Sequence, residues 1–240
     1  MRRADRGFTI VEVMIFLAIS GVMFVIAFVG MRGQQDSVSF RQALNGIELK
    51  IREVFNNVDN GYFGNIGEYT CSTDLSYQVN IQYTPGDTSG GGNSGDCVFI
   101  GKTVDFSSNN AQMAIATLVG SRLAPTLDYG TSLIEIPELL ETYEIGRGVQ
   151  WISSYLYNAN TGQYNNAGDL RASAQRDRNA NVDTQADLRA NRTYYANGSW
   201  NNVSNDALPM FCFGLGDMQG SIIITQKDIT VDYGGAGCGE

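Results

Sequence analysis

The run from Phe8 to Met31 carries a single charged side chain, Glu12, and nothing else in the sequence constrains the chain as strongly. Within it, Val13 to Met31 is a stretch of 19 uncharged, mostly apolar residues. At about 1.5 Å per residue a helix of that length reaches roughly 28 Å, close to the hydrocarbon thickness of a bilayer. Such a segment is expected to enter a membrane. Arg2, Arg3 and Arg6 precede it with Asp5 as the one acid, so the bias of positive charge toward the cytoplasm places the amino terminus inside and everything after Arg32 outside. The apolar run starts directly after Gly7 and closes at Gly30-Met31-Arg32-Gly33 without a small-residue cleavage site, which argues against an ordinary secretory signal. Glu12 also departs from a plain anchor. A carboxylate near the bilayer centre costs on the order of 2.5–3.5 kcal/mol, so it has to be neutralised or meet a cation, and it reads as functional.

Gly7-Phe8-Thr9-Ile10-Val11-Glu12-Val13-Met14-Ile15 resembles the leader junction of type IV pilins and related pseudopilins. The resemblance implies that a dedicated prepilin peptidase cuts between Gly7 and Phe8 on the cytoplasmic side and methylates the new amino-terminal Phe8. It implies that Glu12 pairs with the amino terminus of a neighbouring subunit, a cation of the kind an embedded carboxylate requires. Gly21 stands for a glycine that the family often carries in this helix. Many members have a proline where this chain has Val29, so local loosening of the helix would fall to Gly21, Gly30 and Gly33. The partners implied are the peptidase, the assembly platform, the motor ATPase and further copies of the chain in a helical filament. The locations implied are the cytoplasmic membrane before assembly and an extracellular fibre after it. Losing residues 1–7 removes three Arg and one Asp, moving the net charge from −9 to −11.

Beyond the membrane segment, Phe40, Leu44, Ile47, Ile51, Val54 and Val58 recur at alternating steps of four and three, the apolar stripe of an amphipathic helix. Three segments are therefore expected: a leader over 1–7, a helix over 8–58 and a head over 59–240. The helix would have a membrane or filament-core half at 8–31 and an amphipathic half at 34–58. Unbroken, it would reach roughly 76 Å; a break at Gly30 to Gly33 is the alternative, and Asp59-Asn60-Gly61 supplies the stop. After Gly61 the period changes to two, with strands expected at Tyr77–Tyr83, Cys97–Ile100, Thr103–Phe106, Met113–Val119, Leu133–Ile136, Val149–Tyr157, Ile222–Thr225 and Ile229–Val231, and a helical turn at Pro137–Tyr143. The fold class expected is α+β, a long helix packed on an antiparallel sheet, and the family resemblance implies a ladle shape. Residues 158–206 are rich in Asn, Ala, Arg, Asp and Ser and read as a surface insertion without a core of its own. Asp177, Asn179, Asn181 and Asp183 alternate like calcium ligands, but Val182 and Leu188 stand where such a loop needs Gly and Glu, so no metal is assigned. The triplets opening at Asn191, Asn197 and Asn202 fit glycan acceptors and decide nothing.

Function classes narrow by exclusion. The chain has no His, which removes the commonest general base and metal ligand and every Ser-His or Cys-His arrangement. Its net charge of −9 disfavours nucleic acid as a partner of the shaft. The Gly-rich stretch 85–96 lacks the Lys-Ser/Thr of a phosphate loop, and no cofactor is implied. Cys71, Cys97, Cys212 and Cys238 all lie in the exported part, without the close pairs of a zinc site. Sequential pairing, Cys71 with Cys97 and Cys212 with Cys238, is preferred among three connectivities. The leading reading is a structural, non-enzymatic subunit of a type IV pilus that supports surface attachment or twitching motility. The alternatives are a minor pilin or secretion-system pseudopilin at the filament tip, and a membrane-anchored extracellular binding domain using the aromatic segments Trp151–Tyr157 or Tyr194–Trp200.

Overall fold

A helix of 50 residues, α1 (Ile10–Asp59), opens the computed structural model, which describes residues 9–60, 69–83, 97–121, 133–175, 191–234 and 237–238. Thr9 caps its start: the Thr9 hydroxyl accepts the Glu12 backbone N–H, and the Glu12 carboxylate accepts the Thr9 backbone N–H. Asn60 closes the other end, its N–H donating to the Asn56 carbonyl at 2.9 Å. The strands follow in order as β1 (Tyr69–Thr73), β2 (Val79–Tyr83), β3 (Cys97–Asp105), β4 (Gln112–Ser121), β5 (Leu133–Glu144), β6 (Gln150–Asn158) and β7 (Gln163–Asn166). They continue as β8 (Arg171–Gln175), β9 (Asn191–Ala196), β10 (Ser199–Asn202), β11 (Leu208–Leu215), β12 (Met218–Ile224) and β13 (Ile229–Asp232). Every pairing between these strands is antiparallel. One sheet has the order β10-β9-β8-β3-β4-β5 and a second the order β13-β12-β11-β6-β7, while β1 and β2 form a separate hairpin. The class is α+β.

The carboxy-terminal half of α1 holds the sheets together. Its stripe from Phe40 through Leu44, Ile47, Ile51 and Val54 to Val58 is buried. That stripe shares one core with Val104, Phe106 and Ala172 of the first sheet side and Phe211, Phe213 and Ile222 of the second. Gly220 in β12 allows the close approach: a Cβ there would lie 2.7 Å from the Leu44 side chain and 2.9 Å from the Asp232 carbonyl oxygen. Polar contacts moor the helix as well. Arg192 of β9 pairs with Asp59 at 2.8 Å and lies over the Phe55 ring, 4.6 Å from its centroid. Arg52 bonds to Glu48 at 2.8 Å, to the Asp228 carboxylate and to the Ile229 carbonyl.

Three expectations need correction. Pro137–Tyr143 is not a turn of helix but lies within β5, an edge strand whose pairing with β4 shifts register between Ile115 and Thr117. An edge position tolerates proline because a ladder bond on that side is not needed. Second, residues 158–206 are not a coreless surface insertion. They supply β7 to β10, and Leu170, Ala172, Ala174, Tyr194, Ala196 and Val203 are buried in the main core. Small side chains contribute here because α1 passes close over them, so a scarcity of large aliphatics misleads. Third, the helix packs on two sheets, not one, because β11 stands at the centre of a second sheet. Leu208–Leu215 carries no strand signature in sequence: Phe211 and Phe213 face α1 while Met210 and Cys212 are buried on the opposite side, which leaves no apolar-polar alternation.

Candidate functional site

The site is the part of α1 that the head does not cover. Ile10 to Ala27 is long and apolar enough to cross a membrane by length and composition, and none of it is buried. Ile10, Phe16 and Phe24 are each at least 70% exposed. An apolar helical face left bare over 18 residues requires another apolar environment, either lipid or other helices. Around Gly21 the surface is open: a Cβ there would meet no described atom within 4 Å, which leaves room for a neighbouring helix to approach closely.

Glu12 is the single charged side chain in this segment. Val13, Ile15, Phe16 and Ile19 flank it on the helix surface, all of them exposed. Its oxygen Oε2 lies 3.4 Å from both the backbone N and the hydroxyl of Thr9. Thr9 is thereby a site residue that hydropathy and charge do not single out, although Thr-x-x-Glu before an apolar run is the signature of a capping box. Hydrogen bonds of that length satisfy the helix start while leaving the carboxylate able to accept a stronger, cationic donor.

The remaining candidates separate cleanly. Gly7 and Phe8 lie outside the described residues, as do Asp177, Asn179, Asn181 and Asp183. Gly30 and Gly33 lie within the continuous span of α1, and their surroundings are outside the described residues. The side chains of Cys71 and Cys97 are likewise outside them. Cys212 and Cys238 form a disulfide with a Cα–Cα distance of 5.7 Å, which ties the chain end to the centre of β11 on the face away from α1. Tyr155, Met210 and Tyr164 pack around it. The aromatic segments disperse: Tyr194 enters the main core, whereas Tyr195 and Trp200 pair on the other face of the sheet with centroids 5.5 Å apart. Among the described residues no group of three or more metal-ligating side chains comes together.

Residues 2–28 match the family model of the prokaryotic N-terminal methylation motif. No curated protein and no solved structure matches the chain. The motif belongs to a structural, non-enzymatic class, and its leader implies processing by prepilin peptidase and assembly into a pilus or a secretion-system filament. Together with the bare apolar helix and the cysteine pair, the motif supports a type IV pilin-like prepilin anchored in a membrane by its amino-terminal helix.

Proposed function

We propose that the chain is a structural subunit of a type IV pilus, cut between Gly7 and Phe8 and polymerised into an extracellular helical filament for surface attachment or twitching motility. In this reading residues 1–7 are the leader, residues 8–58 form the handle of a pilin ladle and residues 59–240 form its bowl. The assembly platform and motor ATPase extract the subunit from the membrane, and further copies of the chain become its main partners. The observation that carries the reading is the division of α1: an apolar half with one carboxylate and no cover, continuous with a half buried in the head. Bundled helices replace lipid around Ile10–Ala27, so the apolar surface stays out of water in both states. Glu12 then sets the axial step by pairing with the cationic amino terminus at Phe8 of a neighbouring copy.

The test is Glu12→Val. Leaving a buried cation without its partner costs about 3–5 kcal/mol per contact, and the loss repeats at every subunit. The expected outcome is normal accumulation of the protein in the membrane with no filaments recovered by shearing. Wild-type filament yield in the variant would contradict the role given to Glu12.

A further inference from the structure

We propose that Asn197 is the acceptor of an N-linked glycan, transferred to the exported head from a polyprenyl-phosphate-linked oligosaccharide. Three triplets, opening at Asn191, Asn197 and Asn202, have the Asn-x-Ser/Thr form that such a transfer needs. All three asparagines are exposed, so exposure of the acceptor alone does not rank them. The transferring enzyme has to hold the hydroxyl two residues on as well as the amide, so the whole triplet has to be within reach. After Asn191 it is not: Thr193 is only 6% exposed, in a row between Ser173 of β8 and Asn202 of β10. After Asn202, Val203 is 3% exposed in the main core, and its N–H donates to the Arg192 carbonyl at 3.0 Å. Lifting either triplet into a catalytic cleft would pull a buried residue out of the head. Asn197, Gly198 and Ser199 are exposed throughout.

Asn197 and Gly198 form the two-residue turn between β9 and β10, closed by the pair Ala196 and Ser199. Their φ angles of +52° and +83° have the signs of a type I′ turn, for which Asn-Gly is a favoured sequence. The surroundings are open: a Cβ on Gly198 would meet no described atom within 4 Å, so a bulky group at this tip displaces no packed neighbour. Two rings stand nearby in the hairpin, Tyr195 two positions before the acceptor and Trp200 three after it, with centroids 5.5 Å apart. Arg171 lies 5.7 Å from the Tyr195 centroid, and Ile100 and Leu118 pack against Trp200, so both rings are held in place. Their half-buried surface offers an apolar contact to the C–H face of the first sugar. β10 is also an edge strand of the six-stranded sheet, and a hydrophilic chain at its turn hinders edge-to-edge pairing between heads. In the transfer, Asn197 Nδ2 bonds to the anomeric carbon of the first sugar as the bond from that carbon to the lipid phosphate oxygen breaks. The amide proton passes to a carboxylate of the enzyme.

The modification needs only a head that leaves the cytoplasm, so it stands or falls separately from the filament reading. The test is peptide mass spectrometry with electron-transfer fragmentation on the full-length chain, taken from the membranes and from sheared surface material of the cells that make it naturally. After reduction, trypsin releases peptide 193–227, which holds Asn197 and Asn202, apart from peptide 190–192, which holds Asn191. Peptide 193–227 is expected to carry one sugar chain, localised to Asn197, in most copies. Ser199→Ala, which leaves both turn residues in place, should lose the glycan while the head stays folded by circular dichroism, and Ser199→Thr should keep it. Glycan on a chain that stays in the membrane supports this site even where the filament reading fails. Bare Asn197, Asn197 altered only by deamidation, a glycan carried instead at Asn191 or Asn202, or unchanged occupancy in Ser199→Ala would overturn the proposal.

Discussion

Glu12 serves the helix that carries it, through the cap with Thr9, and remains the one charge on an apolar face. The charge is legible in the sequence as an intramembrane carboxylate, whereas the cap depends on a spacing from Thr9 that the charge overshadows. Glycines show the opposite case, where only coordinates reveal the constraint. Gly101 sits where β3 changes register against β4, and a Cβ there would lie 1.9 Å from the Ala174 carbonyl oxygen in β8. The neighbour is backbone and has no rotamer to escape into. Gly101→Ala should therefore destabilise the head by about 1–3 kcal/mol or more, lowering Tm by roughly 4–10 °C. Thermal unfolding followed by circular dichroism checks this, and an unchanged Tm would mean that β3 and β8 are not in this register.

Elements are legible where one face meets the core and the other meets water. The α1 stripe and the alternation in β2 follow that rule, so their periods show through. β8, with the sequence Arg-Ala-Ser-Ala-Gln, and β11, buried on both faces, do not follow it. The mooring of α1 is invisible for another reason: Arg52 and Asp228 are 176 positions apart. Burial opposes the charge on Arg52, yet bonds to Asp228 and Glu48 raise its pKa on balance. In return the Arg52 guanidinium, with the Ile229 N–H, holds the Asp228 carboxyl below its ordinary value of 3.8. A carboxylate with a depressed folded pKa stabilises the native state above its unfolded pKa, and that contribution disappears as pH falls through the folded value. Wild type should then exceed Asp228→Asn in Tm by a constant margin above roughly pH 5, with the gap closing below roughly pH 4. Melting curves across this range decide it, and a gap that persists in acid would remove the ion pair as its source.

For the molecule as a whole, the sequence marks the amino terminus far more clearly than the head. The leader junction is a contiguous local signal, whereas the two-sheet arrangement depends on pairings such as β3 with β8 across a long stretch of chain. The Cys212–Cys238 bridge holds Cys238 against Tyr155 and Met210. Its loop spans 26 residues, for which chain entropy gives about 3–4 kcal/mol. Cys238→Ser should lower the Tm of the head by roughly 10 °C without disturbing membrane insertion, read by melting and by membrane fractionation. A larger loss, with aggregation throughout, would show that the bridge is needed to fold and not only to stabilise.

The central claim is that this chain leaves the membrane as a processed filament subunit, and intact-mass and amino-terminal analysis of filaments sheared from the cell surface tests it most directly. The account predicts a polypeptide that begins at N-methylated Phe8 as the main component. A chain that stays with the cell and keeps Met1 to Gly7 would contradict it.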